Sequence, residues 1–176
     1  MVTVGPMRVV AGTSGGRRLQ APPGRRLRPT SERVREAVFA TLGSLGAVEG
    51  ARVVDLFAGT GALGIEALSR GASSATFVDD DPTAVATVKA NLKATDLLGT
   101  VIRSDVLRYL ESAPEAFDLA LVDPPYAFAE WPRLLGALPA GLAVLESGGP
   151  LDAGPEWETL RARRYGDSVV TIVRRL

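Results

Sequence analysis

The chain has 176 residues, 46% apolar and 23% charged, with 20 basic side chains against 20 acidic ones, which fits one soluble globular domain with a sizeable core and a small appendage. It has no cysteine and no histidine, excluding disulfides, thiolate nucleophiles, Cys-based zinc sites, the commonest metal ligand and the commonest general base. No stretch is long and apolar enough to span a bilayer and no signal-peptide core opens the chain, so a cytoplasmic location is expected, with catalysis restricted to carboxylates, backbone groups, hydroxyls, aromatics and arginines.

Met7–Ala11 reads as a short strand, Gly12–Gly16 as a glycine-rich turn and Arg17–Gln20 as the return strand of a hairpin. Pro22-Pro23-Gly24 then breaks regular structure and leaves Arg25–Pro29 as a basic, extended loop. Thr30 or Ser31 can cap a helix running to about Leu45, with Glu32 favourable in its first turn. Val34, Ala37, Val38, Thr41, Leu42 and Leu45 recur at helical spacing and predict one core-facing stripe. Through Arg35 the basic residues are Arg8, Arg17, Arg18, Arg25, Arg26, Arg28, Arg33 and Arg35, against Glu32 alone. Guanidinium groups grip phosphates bidentately and stack on bases, so this part reads as a polyanion-binding arm; a merely solvated surface is the competing reading. The expected division is a basic extension over residues 1–45 and a core over residues 46–176.

From Arg52 onward strand and helix signals alternate: Arg52–Phe57, Ala62–Ser69, Ala75–Val78, Pro82–Ala94, Val101–Arg103, Val106–Glu111 and Phe117–Val122. Such alternation implies βαβ units, a parallel sheet and right-handed crossovers. Trp131–Leu138 is a short helical segment, Leu142–Glu146 a strand and Ser147–Pro155 a loop. Glu158–Tyr165 and Ser168–Arg174 flank Gly166-Asp167 and read as an antiparallel hairpin. The expected fold is α/β and Rossmann-like: a mostly parallel seven-stranded sheet with an antiparallel C-terminal hairpin, plus a small basic N-terminal hairpin, loop and helix.

The chain is organised around Val53-Val54-Asp55-Leu56-Phe57-Ala58-Gly59-Thr60-Gly61-Ala62-Leu63-Gly64, a buried strand, a tight turn and the start of a helix. The glycines spell GxGxxG and Asp79 follows about 20 residues on, which also fits a dinucleotide site. Asp55 ahead of the glycines suits an ammonium or sulfonium ligand better than a pyrophosphate. The stretch resembles motif I of class I S-adenosylmethionine (AdoMet)-dependent methyltransferases, and AdoMet is favoured over NAD. Acidic residues also stand just beyond three successive strands, Asp55, Asp79 and Asp105, and can converge along one sheet edge. Resemblance to the superfamily places Asp55 near the methionine moiety, Asp79 at the ribose hydroxyls and Asp105 at the adenine amine. A strand-terminal Asp is often only a helix cap, a reading that stays open for Asp105, and Asp80 can simply be solvated.

Asp123-Pro124-Pro125-Tyr126 follows the fourth strand and resembles the [DN]-P-P-[FYW] motif of methyltransferases acting on exocyclic or amide nitrogens. An exocyclic amine is a poor nucleophile because its lone pair is delocalised into the ring. Asp123 and the Pro124 carbonyl can accept its two hydrogens, the prolines fix the backbone, and Tyr126 offers a flat face to an extruded base. A proline-stiffened turn is the bland alternative.

Met7-Arg8-Val9-Val10-Ala11-Gly12, Gly16-Arg17-Arg18-Leu19, Arg28-Pro29-Thr30-Ser31-Glu32-Arg33-Val34-Arg35-Glu36-Ala37-Val38-Phe39, the run from Asp55 to Ala72, Asp123–Tyr126 and Arg164-Tyr165-Gly166-Asp167 together resemble the bacterial RsmD family. That family methylates guanine N2 in small-subunit (16S) ribosomal RNA. The resemblance implies a methyltransferase using AdoMet, with Asp123, Pro124 and Tyr126 catalytic. It implies cofactor contacts from Asp55, Phe57, Gly59, Thr60, Gly61, Gly64, Asp79, Asp80, Ser104, Asp105 and Asp123. RNA contacts are expected from Arg17, Arg18, Arg25, Arg26, Arg28, Thr30, Arg33 and Tyr126. The expected partner is 16S rRNA, naked or within a partly assembled small subunit, bound by a monomer without metal or membrane. Two departures stand out: Asp79 replaces an expected Glu, and Asp rather than Asn occupies position 123. Met1–Pro6 precede the usual start and are expected to be disordered. A DNA adenine-N6 or cytosine-N4 methyltransferase, and a non-catalytic RNA-binding assembly factor, remain alternatives.

Overall fold

The computed structural model describes residues 6–22, 31–112 and 115–176. The expectations for Met1–Gly5, for the Arg25–Pro29 loop and for Arg25, Arg26, Arg28 and Thr30 lie outside the described residues.

Seven strands form one sheet: β1 (Arg52–Leu56), β2 (Ser74–Asp79), β3 (Thr100–Arg103), β4 (Phe117–Val122), β5 (Ala140–Ser147), β6 (Trp157–Tyr165) and β7 (Ser168–Arg175). Their order is β3-β2-β1-β4-β5-β7-β6, parallel from β3 to β5 and antiparallel at both pairings of β7. The Rossmann-like α/β fold and the C-terminal hairpin stand as expected. The first crossovers step outward from β1 to β3, and the chain then returns to place β4 on the other side of β1. That reversal opens a crevice at the carboxyl ends of β1 and β4, where open α/β sheets bind ligands.

Helices α1 (Glu32–Ser44), α2 (Ala62–Ser69), α3 (Pro82–Thr95), α4 (Val106–Ser112) and α5 (Trp131–Ala137) cover both faces. Alternation along β1 sends Val53 into the layer under α1, α2 and α3, with Phe39, Leu42, Ile65 and Val88. Val54 and Leu56 enter the opposite layer with Leu107, Leu110, Leu134 and Leu138 of the α4–α5 side. Central strands buried on both faces account for the near-continuous apolar runs in the sequence. Among the described residues no helix is long and apolar enough to cross a membrane.

Ser31 caps α1, its Oγ accepting from the Val34 amide at 3.2 Å. The buried face of this helix is rotated from the expected stripe: Arg35, Val38, Phe39 and Leu42 are inside, while Leu45, at the C-cap, is 42% exposed. Arg35 thus belongs to the core rather than to a solvent-facing basic arm.

The N-terminal hairpin also departs from expectation. It makes one bridge, Arg8 to Arg18, instead of two paired strands. Around that bridge the Val9 amide donates to the Arg17 carbonyl at 3.0 Å, the Gly16 amide to the Val9 carbonyl at 2.8 Å and the Leu19 amide to the Met7 carbonyl at 2.8 Å, and the next amides along the first strand are taken up by the body of the protein. The amides of Val10 and Ala11 donate to the buried Glu66 carboxylate, at 2.8 Å for the Val10 bond to Oε1 and 3.4 Å for the Ala11 bond to Oε2. The hairpin lies along α2 and α3. Ser69 Oγ donates to the Ala11 carbonyl at 2.6 Å and accepts from the Ser14 amide at 2.9 Å, and Ser14 Oγ donates to the Thr95 carbonyl at 2.7 Å. Its tip is therefore pinned at the carboxyl ends of both helices, while its open end reaches the β1–α2 turn.

Candidate active site

The turn after β1 concentrates unusual backbone. Phe57, Gly59 and Gly61 all have positive φ, at 59°, 58° and 80°. A phenylalanine in that region is strained and persists only where its surroundings impose it. Here the Phe57 ring packs edge-on against Phe128 at 5.3 Å, and Phe128 packs likewise against Trp131. This aromatic group ties the turn to the segment that follows Asp123-Pro124-Pro125-Tyr126. Gly61 lies where a Cβ would come within 3.2 Å of Val88. At Gly64 a Cβ would overlap the Phe77 ring and approach Asp55 Oδ2 to 3.1 Å, so α2 sits on β1 and β2 closer than any side chain would permit.

Asp55 is 1% exposed, and its Oδ2 accepts from the Gly64 amide at 2.9 Å. It therefore acts on the turn from beneath. Burial pushes its carboxyl well above the ordinary carboxylate range; the Gly64 amide opposes this, and the nearby charges of Asp123 and Asp79 add to it. A carboxyl whose pKa is raised on folding stabilises the native state most below the unfolded value of about 3.9, and that contribution is lost as pH rises through the folded value. Asp55→Asn keeps an oxygen for the Gly64 amide and loses the charge. Its stability is expected to gain on that of the wild type as pH rises above about 4. Urea unfolding of both proteins at a series of pH values checks this; a difference that does not vary with pH contradicts it.

Asp79, at the end of β2, braces the same turn: its Oδ2 accepts from the Gly59 amide at 2.9 Å and its Oδ1 from the Asp81 amide at 3.0 Å. Each carboxylate oxygen keeps a further lone pair for a ligand hydroxyl. Asp80 is exposed, and its carbonyl accepts from Arg103 Nε at 3.4 Å. After β3, Ser104 Oγ donates to the Asp105 carbonyl at 2.9 Å, and Asp105 Oδ1 accepts from the Arg108 amide at 2.9 Å, which caps the first turn of α4. The glycine turn, Asp79 and Asp123 share one stretch of sheet edge, with Ser104 and Asp105 at the neighbouring strand end. The Asp123 amide reaches the Leu56 carbonyl at 3.5 Å.

Pro124 is buried, whereas Tyr126 is 56% exposed. The Tyr126 ring lies beside Gly148, where a Cβ would stand 3.3 Å from Cδ1, and its hydroxyl is 3.0 Å from Ser168 Oγ. Two residues that sequence reading passed over hold this site. Ser168, the first residue of β7, fixes the hydroxyl end of Tyr126. Asn91, fully buried in α3, donates to the Thr60 carbonyl at 2.8 Å and the Gln20 carbonyl at 3.0 Å, and accepts from the Gln20 amide at 2.7 Å. Thr60 Oγ1 in turn accepts from the Ala62 amide at 3.2 Å and lies 3.9 Å from Met7 Sδ. The open end of the N-terminal hairpin is thereby stitched to the glycine turn.

The expected RNA contacts that are described divide by place. Arg17 is exposed toward the hairpin tip, its Nη1 donating to the Ala94 carbonyl at 3.4 Å near the end of α3, and Arg18 bridges to Arg8. Arg33 is exposed on the first turn of α1. The structure does not gather these three with Tyr126 into one cluster of contacts.

Comparison with known proteins adds to this geometry. The family described as “Conserved hypothetical protein 95” matches residues 7–174. The Bacillus subtilis protein named “Putative rRNA methyltransferase YlbH” is 39% identical over 170 residues, covering 94% of this chain and 91% of that protein. The Escherichia coli “Ribosomal RNA small subunit methyltransferase D” is 38% identical over 124 residues, which span 69% of this chain and 61% of that protein. Among solved structures, “Putative methyltransferase yhhF” from Escherichia coli superposes with a TM-score of 0.86 at 29% identity, covering 97% of this chain and 98% of the other.

Proposed function

Because the chain belongs to the RsmD family and has the Rossmann-like fold of class I methyltransferases, we propose that it transfers the methyl group of AdoMet to the exocyclic N2 of a guanine in small-subunit (16S) ribosomal RNA. The observation that carries the reading is the juxtaposition of two segments at the switch point of the sheet. The strained glycine turn leaves β1 there, and Asp123-Pro124-Pro125-Tyr126 leaves the adjacent β4.

The residues at this edge fit AdoMet. At Gly59 a Cβ would meet nothing nearer than the Phe57 carbonyl at 3.9 Å, so a ligand can approach the backbone of the turn there, with Phe57 as its wall and Asp55 as its brace, while Gly61 and Gly64 let α2 pack closely beneath it. Asp79, the last residue of β2, and Asp80 after it offer acceptors to ribose hydroxyls in this reading, and Ser104 and Asp105, just beyond β3, offer one to the adenine amine. When bound, AdoMet supplies an electrophilic sulfonium methyl. The protein's part is to position the amine. Asp123 and the Pro124 carbonyl accept its two hydrogens, so that the nitrogen lone pair is presented rather than lost into the ring. Tyr126, exposed over one face and anchored at its hydroxyl, stacks on the extruded guanine. The nitrogen becomes acidic once methylated, so no histidine is needed to remove its proton. Arg17, Arg18 and Arg33, with Arg25, Arg26, Arg28 and Thr30 of the intervening segment, hold RNA phosphates, and the protein acts as a cytoplasmic monomer.

Mapping modified nucleotides in 16S rRNA from cells with and without this protein tests the reading. One N2-methylguanine is expected to vanish on deletion and return with the wild-type chain. An unchanged 16S pattern overturns it.

A further inference from the structure

The β6–β7 hairpin carries an uneven distribution of charge. At its open end the arginines are matched: Arg174 lies 4.0 Å from Glu158, and Arg175 lies 3.1 Å from Glu156. Arg175 also stacks over Trp157 at 4.4 Å and donates to the Leu138 carbonyl at 2.6 Å. Toward the turn the pattern changes. Arg161, Arg163 and Arg164 are exposed on β6, and none of them has a carboxylate within ion-pair distance among the described residues. Arg163 rests over the Tyr165 ring at 5.5 Å.

Register fixes where these charges point. A bulge between Thr159 and Arg161 resets the alternation, so Arg161 and Arg163 stand opposite Ile172 and Val170. With those residues and Tyr165 they line a narrow cleft against Ala37, Val38 and Thr41 of α1. Arg33, likewise exposed and unpaired among the described residues, is one helical turn before Ala37. Arg33, Arg161 and Arg163 therefore occupy one flank, with Arg164 on the other face of the strand. The turn of the same hairpin is tied to the proposed base platform, through Ser168 Oγ and the Tyr126 hydroxyl at 3.0 Å. Tyr165 to Arg161 is four residues of strand, about 13 Å at the usual rise.

We infer that the tip half of β6, together with Arg33, is a phosphate-gripping surface that holds the RNA strand beside the target guanine. The inference rests on the RNA reading above and extends it from Arg33 to the arginines of β6, which the N-terminal arm does not supply. Like charges gathered without counter-ions repel one another, and a polyphosphate backbone relieves that repulsion with bidentate hydrogen bonds. The bland alternative is that edge-strand arginines only discourage pairing with another chain.

The test compares wild type, Arg161→Ala/Arg163→Ala, Arg161→Lys/Arg163→Lys and Arg174→Ala. The RNA probes are a 16S rRNA transcript and small subunits isolated from cells lacking this protein. Each phosphate contact contributes roughly 0.7–0.9 to the slope of log affinity against log salt, so the double alanine variant is expected to flatten that slope by about one to two units. The double lysine variant restores most of the slope, and Arg174→Ala, whose partner is Glu158, leaves it at the wild-type value. Calorimetric AdoMet affinity at the wild-type value establishes that the alanine variant is folded. A double alanine variant that binds and methylates both probes with wild-type affinity and slope overturns the inference and leaves the RNA reading standing. A wild-type protein that neither binds nor methylates either probe overturns the RNA reading, and this inference with it.

Discussion

Asp123→Ala is expected to lower methylation turnover by at least two orders of magnitude while leaving AdoMet affinity nearly unchanged. Misplacing a reacting group by about 1 Å costs roughly 100-fold, and the substitution removes the side chain that would accept from the target amine. The backbone is held independently of that carboxylate: Pro124 is buried, and the Asp123 amide reaches the Leu56 carbonyl at 3.5 Å. The loss should therefore fall on turnover, as for an interaction specific to the reacting geometry. Tyr126→Phe keeps the ring and loses the bond to Ser168, about 1 kcal/mol, whereas Tyr126→Ala removes the stacking face altogether. Single-turnover methylation of 16S rRNA, with calorimetry for AdoMet, separates the effects. Near-normal turnover in Asp123→Ala would remove the amine-positioning role.

Glu66→Ala is expected to destabilise the fold by about 3–5 kcal/mol, the usual result of taking one partner from a buried ion pair. Glu66 and Arg35 are both fully buried, 4.0 Å apart, and Arg70 approaches the same carboxylate at 3.7 Å. Burial lowers the pKa of Arg35 and the Glu66 charge raises it, so without Glu66 the guanidinium keeps its desolvation penalty and loses its main compensation. The Val10 amide also loses its acceptor. Arg35→Met/Glu66→Gln keeps an oxygen for that amide and deletes both charges; it should recover most of the stability, since apolar replacements of buried pairs are often neutral. Urea unfolding of the three proteins decides the matter. A loss below about 1 kcal/mol in Glu66→Ala would show that the pair is better solvated than its burial indicates.

The strand–turn–helix from Val53 was legible because its signals are local: a β-branched run, three spaced glycines, then helical spacing. The C-terminal hairpin was legible for the same reason, Gly166-Asp167 separating two strands that the structure extends by one residue each, to Trp157 and Arg175. What sequence reading missed is held by partners distant in the chain. Arg35 and Glu66 look like surface charges when counted, and 31 residues separate them. One cue was present: Arg35 precedes Val38, Phe39 and Leu42 by three, four and seven positions, the spacing of a buried face. Asn91 carried no cue at all, because its partners Gln20 and Thr60 meet only in the folded chain. The link from the N-terminal hairpin to α2 was equally silent, because nothing near Val10 announces that a carboxylate 56 residues on will accept from its amide.

The position of β7 has a consequence for the order in which the protein is made. Ser168–Arg175 is synthesised after β1 to β6, yet it lies inside the sheet, paired with β5 on one side and β6 on the other. Chains emerge from the ribosome amino end first, and β1 to β5 can pair among themselves before those eight residues exist. Until they arrive, β5 presents an open row of backbone donors and acceptors flanked by buried Ala143, Val144 and Leu145, and β6 has no neighbour to join. A nascent or prematurely terminated chain ending before Ser168 therefore exposes an adhesive edge. It also lacks the hydroxyl that steadies Tyr126, so the arrival of β7 closes the sheet and completes the candidate site together.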